Sequence, residues 1–521
     1  MLTSLDVVVI VAYLVGIAAL GLRLAGRQLS RDDYFLGGRN LPWWTVCFSV
    51  VATETSTLTV IGLPAIAYGG SLTFMQLTVG YLIGRSVVSA VLLPRYFSHG
   101  VQTTYGFLEA RFGARMRAMA ALTFMFTRLL ADGVRLFATA IPVKVIADAA
   151  GLDVGYTEIV FVLVTVTLIY TYFGGIKAVV WVDAVQLVLY LVAGIVAIGF
   201  LLGAVDDGWW SRLASAGKTQ VVELVPGSFV DVLTQPYLFV TAVIGGAVFS
   251  MASHGADQLM VQRLLACRSL RDSQKALVGS AVLAMVQFAL FLVVGLLLWV
   301  YYDAASVSSL GLSRSDEILP KFIVEGLPPG VSGLLLAGIV AAAMSTLSSS
   351  MNSLASSSAL DLGARLSGLG DGSLLLPRLM TLGWALALAV FASLLSGSTG
   401  TVIEVGLTVA SFTYGALLGV FVLAIAVPAA DEASAIVAFL ATIVVLIVAV
   451  FGLWHSASEG WVFLFRPSAD KIAELGLVGI AWPWFPVIGV AATVTAGFAM
   501  TVLRGRQSGA MAASSSSTKP K

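Results

Sequence analysis

The sequence predicts an all-α membrane protein that crosses the bilayer many times. Of its 521 residues, 59% are hydrophobic and only 11% are charged, and the mean hydropathy is +0.97. A water-soluble fold of this composition would expose far more apolar surface than soluble proteins tolerate. The formal net charge of +1 provides no basic field, and no basic-aromatic pattern is present, so nucleic acid is not an expected partner.

Apolar stretches of about 17 to 25 residues, the length that spans a bilayer, recur about thirteen times along the chain. They lie at 6–23, 43–66, 71–94, 118–147, 155–173, 179–203, 236–256, 276–302, 331–358, 378–397, 401–427, 433–453 and 482–503. The first stretch does not read as a cleavable signal, because Arg23, Arg27 and Arg31 follow it rather than precede it.

Lys and Arg are unevenly divided between the loops on the two sides of these spans. If the amino terminus lies outside, the outer loops carry only Arg212, Lys218, Arg314, Lys321, Arg466 and Lys471. Most other Lys and Arg, Arg263 among them, then fall in cytoplasmic loops, as the positive-inside rule requires. The pattern predicts a plasma (inner) membrane protein with its amino terminus outside and its carboxyl terminus inside. Cys47 and Cys267 then lie at the cytoplasmic side, where a disulfide is not expected.

Two spans contain polar runs that interrupt an otherwise apolar helix. The second span has Thr53, Glu54 and a further run of hydroxyl residues within 48–70, and the seventh has Gly, Ser, His254 and Asp257 within 245–263. Hydroxyl and β-branched residues make both stretches poor continuous helices. The two breaks are five spans apart, and because five is odd the two spans cross the membrane in opposite directions. This indicates two inverted repeats with a substrate site between them at mid-membrane. Gly, Ser and Thr serve close packing equally well.

The ninth span is unusually rich in hydroxyl side chains over residues 337–357. Ser345, Ser348 and Ser349 stand at i, i+3 and i+4, so their oxygens share one helix face. Such oxygens are hard ligands that suit a small cation, which predicts a sodium site. The alternative is that these small residues only allow two helices to pack closely.

The fourth span carries Arg128, Asp132 and Arg135 on one helix face, at i, i+4 and i+7. Charges inside a membrane are costly and usually face the bundle interior. One interpretation is that Asp132 holds one guanidinium while the other receives a substrate carboxylate. The other is a structural ion-pair network to neighbouring helices.

Five motifs, in order, resemble those of the sodium:solute symporters. They are DYFLGGRNLPWW at 33–44, YTYFGGIKAVVWVDAVQ at 170–186, GADQLMVQRLLA at 255–266, MSTLSSSMNS at 344–353 and SFTYGALLGVF at 411–421. The resemblance covers nearly the whole chain and implies a LeuT-like five-plus-five inverted repeat. The expected units are a first helix and loop at 1–42, repeats at 43–203 and 236–427, two extra helices within 428–503 and a disordered cytoplasmic tail at 504–521.

The resemblance also implies one or two transported Na⁺ ions. The first site would use the backbone carbonyls of Ala52, Thr55 and Ala342 and the hydroxyls of Ser345 and Thr346. A second site, present in some members, would use Asp183, Ser345, Ser348 and Ser349. From the residues alone, the carboxylate of Asp183 within an apolar span also requires a cation. That cation is either sodium or one of the intramembrane arginines.

The substrate residues follow from the breaks and from the resemblance. They are Glu54, Ser56, Thr59, Phe74, Arg128, Arg135, Ser250, Ser253 and His254. Glu54 resembles an acidic residue of proline-transporting members, whereas Ser56, Thr59 and Phe74 resemble positions of sialic-acid members. Sugar-transporting members carry amides and aromatics on the seventh span where this chain has Ser250, Ser253 and His254, which argues against a sugar.

Together these features predict a sodium-coupled symporter that imports a small anionic or zwitterionic solute, such as a monocarboxylate, amino acid or sialic-acid-like compound, by alternating access. The expected partners are the solute, Na⁺ and the lipid bilayer. Neither an enzymatic activity nor an obligate protein partner is expected. A proton-coupled carrier using Glu54, Asp183 or His254 is the nearest alternative. A membrane sensory module is a further one, although little sequence follows the last span.

Overall fold

The computed structural model describes residues 3–26, 28–149, 151, 153–363, 373–395 and 401–516. The described chain is almost entirely helical, as predicted. The helices of the first half are α1 Ser4–Ala25, α2 Arg31–Leu36, α3 Trp43–Glu54, α4 Thr57–Gly69, α5 Met75–Ser98, α6 Thr104–Arg111, α7 Ala114–Ala149, α8 Tyr156–Ala204 and α9 Trp209–Ser215.

The second half continues in the same way and adds one small sheet. Its helices are α10 Phe229–Thr234, α11 Phe239–Met251, α12 Gln258–Leu265, α13 Leu270–Tyr301, α14 Ile318–Glu325, α15 Val331–Ser357, α16 Leu375–Leu394, α17 Thr401–Ala426, α18 Glu432–Gly452, α19 Ala469–Leu475 and α20 Trp484–Ser516. The strands are β1 Leu453–Ser456, β2 Gly460–Phe463 and β3 Val478–Gly479. Strand β1 is central and antiparallel to both others, with His455 opposite Trp461 and Val478.

Within the described residues, nine helices are long and apolar enough to cross a membrane, or ten if α3 and α4 form one bent span. The predicted number of about thirteen spans therefore stays a prediction. Helix α8 alone covers two predicted spans, 155–173 and 179–203. At about 1.5 Å per residue it would extend roughly 70 Å, more than twice the hydrocarbon thickness, if it were straight.

Helix α8 breaks at Gly175, which explains how one run of helix holds two spans. Gly175 has φ 53° and ψ −153°, a conformation open essentially only to glycine. A Cβ at this position would lie 2.3 Å from the carbonyl oxygen of Tyr34. The hydroxyl of Tyr34 in turn donates to the backbone of Thr171. The Gly-Gly pair of the 170–186 motif is therefore where α8 turns and contacts α2.

Both predicted helix breaks are present. Helices α3 and α4 meet at an angle of 67°, and Thr55 between them has an extended backbone. On the seventh predicted span, α11 passes into one π-helical turn at Ala252–Ala256. Asp257 then caps the start of α12 through the backbone N–H of Leu259. At these breaks the regular helical hydrogen bonding ends, so backbone carbonyl groups and polar side chains become available in the middle of the bundle.

Helix α15 lies at the centre of the molecule, buried without interruption from Leu335 to Ser357. It packs against α1, α3, α7 and α8. Helices α5 and α11 approach through glycine, because a Cβ on Gly84 would lie 2.2 Å from the carbonyl oxygen of Ala247. Large apolar side chains on the outer faces of the spans, including Val8, Val15 and Val444, are exposed, as expected of surfaces that contact lipid.

Two further predictions concern the cysteines and the tail. Cys47 and Cys267, for which no disulfide was expected, are both buried and free in the structure. The prediction that the chain is disordered from residue 504 is wrong as far as Ser516, because α20 continues to that residue. Arg, Gln, Ala and Met in this stretch favour helix. Residues 517–521 lie outside the described part.

Candidate functional site

Five oxygen atoms converge where the break of α3 meets the middle of α15. The Ser345 hydroxyl lies 2.8 Å from the carbonyl oxygen of Ala52 and 3.0 Å from that of Ala342. The Thr346 hydroxyl lies 3.3 Å from the carbonyl oxygens of Thr55 and Ala342. These are the five atoms predicted for the first sodium site, and each of the five residues is buried. Carbonyl and hydroxyl oxygens in such a cluster suit one small hard cation.

The extended backbone at the break is what makes its carbonyls available. Helix α3 ends at Glu54. The carbonyl groups of its last turn therefore lack the backbone N–H donors that would follow four residues later in a continuous helix. Gln287 on α13 donates 2.6 Å to the Thr55 hydroxyl, which fixes the break from the opposite side. Among the described residues there is no group of three or more His, Cys, Asp and Glu that could hold a metal ion. A cation here would depend on neutral oxygens.

The residues predicted for a second sodium site also lie together, but an arginine shares their position. Ser348 donates 3.4 Å to Asp183, and the Ser349 hydroxyl contacts the guanidinium of Arg263. Arg263 Nη2 also lies 3.5 Å from Asp183 Oδ2, and both side chains are fully buried. Ser49 joins the two, donating 2.6 Å to Asp183 and accepting 2.9 Å from Arg263 Nε.

Arg263 was expected in a cytoplasmic loop, and the structure places it within the bundle instead. It belongs to α12, whose eight residues are all buried. The cation that faces Asp183 in the structure is therefore an arginine, but it is none of the intramembrane arginines that the sequence offered as partners, which were Arg85, Arg128 and Arg135. A buried carboxylate and guanidinium stabilise each other because each removes the other's uncompensated charge.

A cavity of about 310 Å³ lies beside the two breaks. Of the predicted substrate residues it is lined by Glu54, Ser56, Thr59, Phe74, Arg128, Arg135, Ser253 and His254. Ser250 is placed elsewhere, with its hydroxyl 3.4 Å from the carbonyl oxygen of Tyr81. Tyr81, Phe249, Phe288 and Tyr414 also line the cavity, which gives it apolar walls around a few polar groups, as small-molecule sites usually have.

The two arginines of α7 differ sharply in their surroundings. The Arg128 side chain is 3% exposed and contacts Asp257 and Asp132, and its Nη2 donates 2.6 Å to the Tyr414 hydroxyl. The Arg135 side chain is 31% exposed and lies 3.2 Å from Asp132 through Nη1. Asp132 also accepts 2.6 Å from Ser350. Arg128 is thus held in a network, whereas Arg135 presents donors to the cavity.

Glu54, at the end of α3, has a partner that the sequence did not reveal. Arg85 on α5 lies 2.5 Å from its carboxylate and is fully buried. The other terminal nitrogen of Arg85 donates 2.7 Å to Ser280 on α13. Arg85, Asp257 and Arg263 were visible only as single charges, because each partner lies on another helix. No local spacing could have paired them.

A second, much smaller cavity is lined by residues of both sites. It has a volume of about 10 Å³ and is lined by residues that include Ser56, Asp132, Arg135 and Thr346. Thr346 provides one of the five converging oxygens, and Arg135 faces the larger cavity. The proposed ion site and the larger cavity are therefore close together, with Thr346 and Arg135 lining the same small cavity.

Known proteins are similar in sequence to most of this chain. The family model described as the sodium:solute symporter family matches residues 34–373. The sodium/sialic acid symporter NanT of Aliivibrio fischeri is 33% identical over 362 residues, 68% of each chain. The sodium/sialic acid symporter SiaT of Proteus mirabilis is 30% identical over 458 residues, 85% of this chain and 89% of that one.

A solved structure shows the same overall fold. A Na⁺-coupled sialic acid symporter in a substrate-bound outward-open state superposes with a TM-score of 0.80 and 25% sequence identity. The match covers 96% of this chain and 98% of that chain. The predicted fold class is thereby confirmed.

Proposed function

The chain belongs to the sodium:solute symporter family, and from that membership we propose that it imports a small carboxylate-bearing solute together with sodium. It is a multi-pass membrane protein and a sodium-coupled transporter. The single observation that supports the site assignment is the convergence of carbonyl and hydroxyl oxygens between α3 and α15. Five neutral oxygens without a fixed countercharge bind a monovalent cation weakly enough to release it, as transport requires.

We assign the transported sodium to Ala52, Thr55, Ala342, Ser345 and Thr346. Two of these carbonyls belong to the broken segment, so an ion bound there stabilises the break in one arrangement relative to α15. A second ion at Asp183, Ser345, Ser348 and Ser349 would compete with Arg263 for Asp183 and Ser349. We therefore propose that one sodium drives transport, and that a second enters only when the Arg263 guanidinium moves away.

Arg135 is our candidate for the solute carboxylate. It is the more exposed arginine of α7 and lines the large cavity, and a guanidinium binds a carboxylate in a bidentate geometry. Ser56, Thr59 and Phe74 line the same cavity and complete the contact surface. The class of solute is a monocarboxylate, an amino acid or a sialic-acid-like acid, and two of the relatives carry sialic acid in their names.

Transport then follows alternating access of two inverted repeats, at 43–203 and 236–427, around this site. The proposed orientation has the amino terminus outside and the carboxyl terminus inside a plasma (inner) membrane. Each net charge that moves inward gains about 2.3 kcal/mol at 100 mV. One sodium with one monoanion moves no net charge, so uptake with that stoichiometry depends on the sodium gradient and not on the potential.

A proton-coupled carrier is the second candidate. It is favoured by the titratable Glu54 and His254, which line the substrate cavity with Nε2 of the histidine 3.9 Å from the carboxylate. In that case proton and solute would share one site, and sodium would have no effect on binding.

A thermal-shift screen of the purified protein separates the two candidates. Organic acids, amino acids, sialic acids, sugars and vitamins are each tested in sodium chloride and in potassium chloride. A ligand of the folded state raises the apparent melting temperature according to its concentration and affinity. We expect carboxylates to stabilise the wild type only in sodium, and Ser345→Ala to lose that effect. Equal stabilisation in both salts would overturn the sodium assignment.

A further inference from the structure

His254 has a buried nitrogen atom without a partner beside the large cavity. Its side chain is 2% exposed, and it lines the cavity together with Ser253. Its Nδ1 lies 2.8 Å from the Ser253 hydroxyl, but Nε2 has no hydrogen-bond partner anywhere in the described part of the chain. Buried polar atoms are nearly always hydrogen-bonded in folded proteins. This nitrogen therefore requires a partner that the described residues do not provide.

The Glu54 carboxylate faces this nitrogen across a short gap. Its Oε2 lies 3.9 Å from His254 Nε2, which is too long for a direct hydrogen bond. A third polar group placed about 2.8 Å from each atom would bond to both. Because Glu54 also lines the cavity, a group of a bound solute can approach from that side.

The charge of Glu54 is already compensated by Arg85. The two lie 2.5 Å apart, and Arg85 is fully buried. Around the cavity, the guanidinium groups of Arg85, Arg128 and Arg135 face the carboxylates of Glu54, Asp257 and Asp132, so positive and negative charges balance. In the proposed function the solute carboxylate and the sodium ion cancel each other's charge, so an ammonium group beside Glu54 would add an uncompensated buried charge, which is costly. A neutral donor adds none.

We propose that Glu54 and His254 form a hydroxyl-binding subsite, so that the solute is a carboxylate that also carries a hydroxyl group. The hydroxyl donates to the Glu54 carboxylate and accepts from Nε2–H of His254. The proposal assigns the imidazole hydrogen to Nε2, so that Nδ1 accepts from the Ser253 hydroxyl, which lies 2.8 Å from Nδ1 and 3.4 Å from its alternative acceptor, the carbonyl oxygen of Ser250. Arg85 is a positioning residue that keeps the carboxylate in place. This inference rests on the proposed function, in which Arg135 binds the carboxylate.

Pairs of acids that differ only in their hydroxyl groups, one in the first two pairs and five in the third, test the proposal. Binding of L-lactate and propionate, of 3-hydroxybutyrate and butyrate, and of gluconate and hexanoate to the purified full-length protein is measured in sodium chloride by thermal shift and titration calorimetry. A hydrogen bond to a charged group contributes enough that we expect the hydroxylated member of at least one pair to bind on the order of tenfold to a hundredfold more tightly. His254→Phe should bring the two members of that pair to within about twofold.

His99→Phe is the matched control, because His99 lies at the exposed end of α5 and should leave the preference unchanged. His254→Gln keeps a side-chain donor and should restore part of it, which separates lost recognition from lost folding. Equal binding within every pair, or a preference that survives His254→Phe, would overturn the subsite. If no acid of any kind binds in a sodium-dependent way, the proposed function fails instead.

Discussion

Two arginines seven residues apart on α7 are expected to respond very differently to the same substitution. Arg128→Lys replaces a guanidinium that contacts Asp257, Asp132 and Tyr414, and a lysine cannot reach all three. We expect it to lower the free energy of unfolding by about 3 kcal/mol, because buried carboxylates lose their partner. Arg135→Lys should keep the protein folded and weaken solute binding by about tenfold or more.

Thermal unfolding without solute and solute titration in sodium together measure this difference. The two variants serve as controls for each other, since they make the same chemical change on the same helix face. A stable Arg128→Lys protein with weakened solute binding, beside an unaffected Arg135→Lys protein, would reverse the assignment of roles.

Asp183 and Arg263 are expected to behave as one unit. Either Asp183→Asn or Arg263→Gln leaves a buried charge without its partner, at a cost of about 3–5 kcal/mol. The double variant removes both charges and should cost clearly less than the sum of the two. Unfolding of the four proteins gives the coupling energy directly.

The exposed pair Lys321 and Glu325, 2.8 Å apart, provides the control cycle, whose coupling should not exceed about 1 kcal/mol. Additive effects of Asp183→Asn and Arg263→Gln would contradict the pairing. In that case Arg263 would not compete with sodium for Asp183, and Asp183 would remain a candidate sodium ligand.

The sequence indicated the sodium residues more clearly than the charges around them. Hydroxyls at i, i+3 and i+4 on an apolar span form a local pattern, so Ser345 and its neighbours stand out without any structure. The partners of Glu54, Arg128 and Asp183 lie on other helices, 31, 129 and 80 positions away along the chain. Only tertiary packing brings such pairs together, so no spacing rule could have identified them.

At the scale of single elements, the break in α8 makes a specific prediction. Gly175→Ala places a Cβ against the carbonyl oxygen of Tyr34, in a backbone conformation that alanine avoids. We expect a loss of at least about 3 kcal/mol of unfolding free energy, from strain and steric overlap together. Thermal unfolding of the purified variant measures the effect.

Gly203→Ala on the same helix is the matched control, because nothing lies within 4 Å of a Cβ at that position. It should be neutral or slightly stabilising, since alanine favours helix. If Gly175→Ala were as stable as Gly203→Ala, the contact between α8 and α2 would have little role in fixing the fold.

Elements were predictable where composition alone determines them. The breaks near Thr55 and His254 follow from polar, β-branched and glycine residues inside apolar spans, and both are present. The tail beyond residue 504 was expected to be disordered because it is polar, yet its first residues extend α20. Helix ends depend on local propensity and on the preceding turn, which a reading of hydrophobicity does not capture.

At the scale of the whole molecule, the ion and the solute are placed to influence each other. The five oxygens of the proposed sodium site and the large cavity share the break between α3 and α4. Thr346 and Arg135 both line the small cavity between them. An ion that stabilises the break in one arrangement would also fix Glu54 and Ser56 on the cavity wall. Coupling of this kind is reciprocal, so the solute must strengthen sodium binding by the same factor.

Uptake into proteoliposomes driven by a sodium gradient tests this coupling most directly. The solute is the radiolabelled acid that stabilises the protein in sodium, and the external salt is sodium or potassium chloride with and without a pH gradient. We expect the wild type to accumulate solute only with external sodium, and Ser345→Ala to bind neither sodium nor solute normally while folding like the wild type. Accumulation driven by the pH gradient without sodium, or unchanged sodium dependence in Ser345→Ala, would contradict sodium coupling through this site.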